Sequence, residues 1–210
     1  MTPVVALITD RRRDAGGADT LVERVRWAAA AGVHLVQVRE HDLDGGPLTT
    51  LARRCVDAVR GSRARVLVND RLDVALAAGA HGVHLRADSM PASRVRQLSP
   101  PGFLIGRSVH GREEAVAAAA AGGLDYLLFG TVFATPSKPG RPPAGPTALA
   151  DVAAAVALPV LAVGGVSPDN VGEVAARGAA GFAAIGMFAA GAESDIWQAV
   201  HSWTRSSAAR

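Results

Sequence analysis

Residues 65–86, RVLVNDRLDVALAAGAHGVHLR, carry one complete structural unit. The apolar run 65–69 ends in the polar pair Asn69–Asp70, and a segment of helical period follows over 71–78. Gly79 falls where that helix should stop, because the left-handed turn that closes many helices costs glycine least. A second apolar run then opens at 82–86. Strand, helix and strand at this spacing bring the chain back to the same edge, so the two strands lie parallel.

The unit repeats along the whole chain. Apolar runs at 4–9, 33–39, 65–69, 82–86, 103–109, 125–130, 159–164 and 181–186 predict strands. Segments at 20–31, 48–60, 71–78, 91–98, 112–121, 146–156, 168–177 and 195–205 predict helices. Pro91 and Pro146 suit a first helical turn, and Ser167-Pro168 gives a cap followed by proline. Gly32, Gly61, Gly122 and Gly178, like Gly79, stand at helix ends. The strands read as near-continuous apolar runs, as in a sheet covered on both faces. This alternation within 210 residues predicts one α/β domain over 1–210, a closed (β/α)8 TIM barrel. An open doubly wound sheet is the alternative. It would have fewer strands and a glycine fingerprint after the first, which ITDRRR (8–13) lacks.

Composition removes several function classes. The formal charge is +3, and the pI of 9.9 reflects dispersed arginine rather than a basic block. Arg11–Arg13 reads as a solvated turn, and 4% aromatics leave little on which to stack bases, so no nucleic-acid partner is expected. Cys55, the single cysteine, excludes an intrachain disulfide and a cysteine metal site, and it reads as a small core residue. No charge-free apolar stretch of about 18 residues occurs, so no membrane span is expected. MTPVVALITD lacks the basic start and length of a signal peptide, and a cytoplasmic protein is the expectation. The oligomeric state, including a homo-oligomer, stays open.

Chemistry in this fold sits at the C-terminal ends of the strands. Arg39, Asn69, Asp70, Asp88, Ser108, His110 and Lys138 are expected to converge on one mouth, and His41, in the loop after Arg39-Glu40, is a further candidate to touch a ligand. The segment 131–145, rich in Pro, Gly and Thr and carrying Lys138, exceeds the length of ordinary loops and reads as a lid over that mouth. VGGVS, with Gly164 and Gly165, and AIGMF, with Ile185 and Gly186, bring backbone close to a ligand after the seventh and eighth strands. Barrels often bind phosphate there, although tight helix–strand packing also selects glycine. A phosphorylated small molecule is the predicted ligand. Asp70 and Asp88 suit Mg²⁺ holding phosphate oxygens; they equally suit ion pairs, Asp70 with Arg39 and Asp88 with Arg86. Among the histidines, His34, His81 and His201 read as structural and His84 as a hydrogen-bonded barrel residue. His110 is the best-placed acid–base group, since imidazole takes and returns protons near neutral pH.

VQVRE, VNDRLDVALAAGAHGVHL, IGRSVH, DYLLFGTVFATPSK, LAVGGVSPDNV and AAIGMF occur in the order found in the thiamine phosphate synthase and thiazole tautomerase (TenI) family. The chain resembles that family from about residue 4 to 190, which implies a (β/α)8 barrel of thiamine biosynthesis. Resemblance to the synthase branch implies pyrimidine and pyrophosphate contacts at Gln37, Arg39, Asn69, Ser108, Thr135, Ser137 and Lys138. It implies Mg²⁺ at Asp70 and Asp88 and thiazole phosphate at Gly165, Ile185 and Gly186. The synthase joins the pyrimidine pyrophosphate to the thiazole phosphate, the metal holding pyrophosphate as it leaves. Three positions depart from that branch. His41 replaces the lysine of Arg-Glu-Lys, RADS (86–89) stands for Gly-Gln-Glu-Asp, keeping Asp88 but inserting a bulky Arg86, and Gly186 replaces a serine.

Resemblance to the tautomerase branch rests on GRSVH followed by acidic residues and on DYLLFG. It implies a metal-free isomerase that aromatises a dihydrothiazole carboxylate phosphate, with His110 shuttling the proton, and leaves Asn69, Asp70 and Asp88 without a task. The departures at His41 and Arg86 favour this branch, and the expectation is a thiazole tautomerase. The alternatives are the synthase and a phosphate-binding barrel without catalysis.

Overall fold

A computed structural model of the chain describes residues 5–13, 16–135, 140, 142–189 and 193–208. The strands are β1 (Val5–Ile8), β2 (Leu35–Val38), β3 (Arg65–Asn69), β4 (Gly82–Leu85), β5 (Leu104–Val109), β6 (Tyr126–Gly130), β7 (Val160–Val163) and β8 (Gly181–Ala184). They pair in parallel, each with the next, and β8 pairs with β1 to close the barrel. The (β/α)8 prediction holds, and the open sheet does not.

The helices are α1 (Gly17–Ala31), α2 (Gly45–Ala58), α3 (Leu72–Ala77), α4 (Ala92–Leu98), α5 (Arg112–Ala120), α6 (Gly145–Ala155), α7 (Val171–Ala176), α8 (Gly186–Ala189) and α9 (Glu193–Ala208). Gly32 closes α1 in the left-handed conformation at φ 97°, its N–H reaching back to the carbonyls of Ala28 and Ala29. Two local readings shift. The helix expected from 168 begins at Val171, because Asn170 braces the loop instead: its side chain accepts from Ser167 N–H at 2.9 Å and donates to the Gly165 carbonyl at 2.9 Å. The single turn α8 precedes α9 and was not foreseen; four residues are too few to show a helical period.

Strand alternation divides the core. Ala6, Ile8, Leu35, Leu67, Tyr126, Leu128, Leu161 and Ala183 fill the barrel interior. Their neighbours, Leu7, Val36, Val68, Val83, Ile105, Leu127 and Phe182 among them, face outward under the helices. Trp203 of α9 packs edge-on against Phe182, with ring centroids 5.7 Å apart. Cys55 is buried on α2, and burial pushes its thiol up to about 12, so it is a core residue and not a reagent. Among the described residues no helix is long and apolar enough to cross a membrane.

The same parity carries polar side chains inward at the strand ends. Gln37 follows Leu35, Asn69 follows Leu67, and Ser108 lies on the inward side of β5. Asp70 has the opposite parity and sits just past β3 at φ 57°, a left-handed conformation that aspartate tolerates better than most residues.

Candidate active site

The C-terminal ends of the strands enclose a cavity of about 570 Å³. Gln37, Arg39, His41, Asn69, Ser108 and His110 line one part of it, with Asp88 and Arg86 beside them. Thr135, Gly164, Gly165, Ile185 and Gly186 line the remainder. Ser137 and Lys138 lie outside the described residues, as does most of the predicted lid. The described base of that segment is tied to the barrel. Phe133 N–H donates to the Gly164 carbonyl at 3.0 Å and Ala144 N–H to the Thr131 carbonyl at 2.8 Å.

The floor of the cavity is a hydrogen-bonded chain. Gln37 Nε2 donates to Asn69 Oδ1 at 2.8 Å, fixing two amides side by side. His84, fully buried, bridges the Tyr126 hydroxyl through Nδ1 and the Ser108 hydroxyl through Nε2, both at 2.9 Å. Burial first, then Arg39 and Arg107, lower the His84 pKa to about 3, so the ring is neutral and donates from one nitrogen while accepting at the other. Room for Tyr126 inside the barrel comes from Gly106, where any Cβ would collide with the phenol ring. His84 is therefore a positioning residue for Ser108. Tyr126, the chain's single tyrosine, was overlooked in the sequence because it opens a strand otherwise read only as apolar.

One wall of the mouth is charged. Arg39 is held by its own N–H, which donates to Thr9 Oγ1 at 2.9 Å, and Thr9 in turn donates to buried Glu40 at 2.5 Å. The pKa of His41 is lowered by partial burial first and then by the charges of Arg39, Arg86 and Arg12.

The carboxylates do not stand as expected. Asp88 lines the main cavity, whereas Asp70 lines an adjoining recess with Glu40, His41, Asn69 and Arg86. The ion pair expected between Asp70 and Arg39 is replaced by one to Arg86, whose Nη1 lies 3.7 Å from Asp70 Oδ2. The pair expected between Asp88 and Arg86 is present as a fork, Nε to Oδ1 at 3.0 Å and Nη2 to Oδ2 at 2.5 Å. Laid over 86–89 residue by residue, Gly-Gln-Glu-Asp places its aspartate at Ser89, and the Ser89 hydroxyl is the group that donates to Asp70. Arg107, quoted within IGRSVH but given no role in the sequence, holds this turn by donating to the carbonyls of Ala87, Ser89 and Met90. Among the described residues no three His, Cys, Asp or Glu side chains gather into a full cage. Two carboxylates and a hydroxyl nonetheless fit Mg²⁺, which takes one or two carboxylates and completes its shell with water and substrate phosphate.

The opposite wall is backbone. Gly164 and Gly165 have φ of 96° and 65°, and a Cβ on either would meet Thr131, Phe133 or the Ala134 carbonyl. Packing thus demands both glycines, the alternative weighed from the sequence. Gly186 differs: a Cβ there would meet nothing within 4 Å, so the space beside it is open.

His110 stands at the rim. Its ring Nδ1 lies 2.6 Å from the Gly130 carbonyl, which can only accept, so Nδ1 carries a proton there. Its own N–H donates to Glu114 Oε2 at 2.7 Å. These bonds tie the end of β5 to the end of β6 and to the start of α5.

A closed parallel barrel whose mouth opposes a cationic wall to a glycine wall belongs to the class of TIM barrels suited to phosphorylated small molecules. Within that class the chain is a member of the thiamine monophosphate synthase family, whose pattern it matches over residues 5–188. It is 48% identical over 180 residues to a putative thiamine-phosphate synthase of Geobacter sulfurreducens, across 85% of this chain and 83% of that one. Thiamine-phosphate synthase of Methanoculleus marisnigri is 43% identical over 188 residues, 89% of this chain and 88% of its own. Among solved structures, thiamine phosphate pyrophosphorylase from Pyrococcus furiosus superposes with a TM-score of 0.82 at 31% identity, covering 98% of this chain and 96% of that one.

These relatives overturn the expectation of a thiazole tautomerase, and with it the isomerase class and the proton-shuttle role of His110. The motifs that favoured the tautomerase are explained by the barrel itself. Gly106 makes room for Tyr126, Ser108 is held through His84, and His110 anchors a strand end, so IGRSVH and DYLLFG report strand-end architecture rather than reaction type.

Proposed function

We propose that the chain is a thiamine-phosphate synthase, a transferase that joins a pyrimidine pyrophosphate to a thiazole phosphate and releases pyrophosphate. The observation that carries this reading is the pair of unlike walls across one cavity, one of cationic side chains and one of glycine backbone. A reaction that joins two phosphorylated substrates has to hold a pyrophosphate and a phosphate on separate molecules, and two walls give each its own place, in line with the thiamine-phosphate synthases the chain is similar to.

In this reading Gln37 and Asn69 hold the pyrimidine edge through their paired amides, with Ser108 oriented beside them by His84. Arg39, His41 and Arg86 meet the pyrophosphate, together with Thr135, Ser137 and Lys138. Gly165, Ile185 and Gly186 meet the thiazole phosphate, Gly186 having the free space beside it. Asp70, Asp88 and Ser89 hold Mg²⁺, which when bound neutralises charge growing on the departing pyrophosphate. The chain's own part is to place the two substrates in contact and keep their charged ends apart on opposite walls.

The test is formation of thiamine phosphate by purified protein given both substrates and Mg²⁺. Mg²⁺-dependent product is expected. Asp70→Ala is expected to lower turnover on the order of 10²-fold or more, the scale seen when a group stabilising developing charge is removed. A folded protein that forms no product would overturn the proposal, and unaltered turnover in Asp70→Ala would remove the metal assignment.

A further inference from the structure

We infer that Arg86 is a resident cation occupying the metal position of the ligand-free protein, so that Mg²⁺ is taken up together with pyrophosphate rather than before it. The inference deepens the synthase reading and rests on it for the identity of the anion. It rests on that reading for the metal position as well, and on geometry for the placement of Arg86. One guanidinium faces both carboxylates: it forks onto Asp88 at 3.0 and 2.5 Å and points Nη1 at Asp70 Oδ2 from 3.7 Å.

Two carboxylates with one guanidinium leave a single net negative charge where a divalent ion would otherwise meet two. The arginine and the metal also compete for the same oxygen atoms. The turn that presents them is pinned independently, by Arg107 donating to the Ala87, Ser89 and Met90 carbonyls and by Arg86 N–H donating to Ser89 Oγ at 2.8 Å. Exposed ion pairs contribute little to folding, so the pairing is not what holds the turn in place. Arg86 also lines the main cavity, within the cationic wall that includes Arg39 and His41. When pyrophosphate arrives, the guanidinium exchanges carboxylate partners for phosphate oxygens, a bidentate geometry it matches equally well. The vacated carboxylates then receive the metal that the pyrophosphate brings.

The measurement is Mn²⁺ binding to ligand-free protein, read from the electron paramagnetic resonance of free Mn²⁺, in wild type, Arg86→Gln and Arg86→Lys. A charge of +1 about 4 Å from a divalent ion alters affinity about tenfold even in high dielectric with salt present. Arg86→Gln is therefore expected to bind Mn²⁺ at least about tenfold more tightly than wild type. Arg86→Lys, which keeps the charge, should stay near wild type. Adding Asp70→Asn to Arg86→Gln should cancel the gain. Inorganic pyrophosphate should tighten Mn²⁺ binding to wild type more than to Arg86→Gln. Equal Mn²⁺ affinity in wild type and Arg86→Gln would overturn the inference, as would Arg86→Lys binding as tightly as Arg86→Gln. Product formation by wild type is assayed separately. Its absence would remove the synthase reading and leave the Mn²⁺ comparison to stand or fall by itself.

Discussion

The two walls of the mouth are built by different physics. Along β7 and β8 the wall is backbone: Gly164 and Gly165 are locked by positive φ and by contact with Thr131, Phe133 and Ala134. Along β2 to β4 it is side chain: Arg39, His41 and Arg86 stand among Asp70 and Asp88. A backbone wall keeps its shape whatever the pH or salt, and it suits a substrate whose phosphate is only held. A side-chain wall can change partners, and it suits a pyrophosphate that must be bound, charge-balanced and released. In the proposed reaction the two halves of one rim thus divide a held group from a leaving group.

The largest expected effect breaks the backbone wall. Gly165→Ala forces a left-handed alanine and drives its Cβ against the Ala134 carbonyl, an atom fixed in the main chain. Strain and overpacking each cost on the order of 1–3 kcal/mol. We expect a loss of about 3 kcal/mol, a fall in Tm on the order of 6–12 °C for a chain of this size, read by thermal unfolding. A Tm within about 2 °C of wild type would mean that this wall is adjustable too, and the contrast between the walls would fail.

The backbone wall was readable in the sequence and the side-chain wall only in part, for the same physical reason. Gly79 is required by its positive φ, and Gly164 and Gly165 by φ and close packing; these act over a few neighbouring residues, so VGGVS and the unit at 65–86 announce their places. Strand parity is equally local, and it brings Gln37, Asn69 and Ser108 to the mouth, Asn69 and Ser108 being expected there as strand ends and Gln37 through the family resemblance alone. The choice of partner for an arginine depends on rotamers and on distant chain. Nothing in RADS says that Arg86 will reach back to Asp70, or that Ser89 and not Asp88 will touch it. The tautomerase expectation failed at a similar point. GRSVH suggests chemistry in the sequence, whereas its serine and histidine answer to Tyr126, His84 and Gly130, residues brought near by the pairing of β4, β5 and β6.

Beneath both walls the floor is neutral, and acid should expose that. His84 has its pKa lowered to about 3 and His34 to about 4, in each case mainly by burial. The unfolded chain takes up these protons near the ordinary histidine pKa of about 6.5, and the folded chain resists them. Their contribution to stability is therefore present above about pH 6.5 and lost as pH falls toward the folded values. Each histidine contributes about a tenfold change in the folding equilibrium per pH unit within its window. Urea unfolding between pH 7 and 4 should show a decline that His84→Gln makes shallower, though the variant is less stable at pH 7. An unchanged slope would mean that the His84 ring is charged in the folded protein and that the floor belongs with the charged wall.

The smallest effect sharpens the charged wall itself. His41 sits beside Arg39 and Arg86 with its pKa held below the usual value, so near pH 7 it adds no full charge to that wall. A lysine there restores a cation facing the pyrophosphate. Charge-assisted contacts to phosphate contribute roughly 1.5–3 kcal/mol when well formed and less at an exposed rim such as this. We expect His41→Lys to lower KM for the pyrimidine pyrophosphate by about threefold to tenfold at pH 7.5, with KM for the thiazole phosphate unchanged. For wild type, KM for the pyrimidine pyrophosphate should fall as pH drops from 7.5 to 6, since the bound anion favours the protonated ring, and His41→Lys should lose that component of the pH dependence. Steady-state kinetics with each substrate varied in turn reads both values. Equal changes in the two KM values would mean that the walls share one electrostatic field, and the division of labour between them would then rest on shape alone.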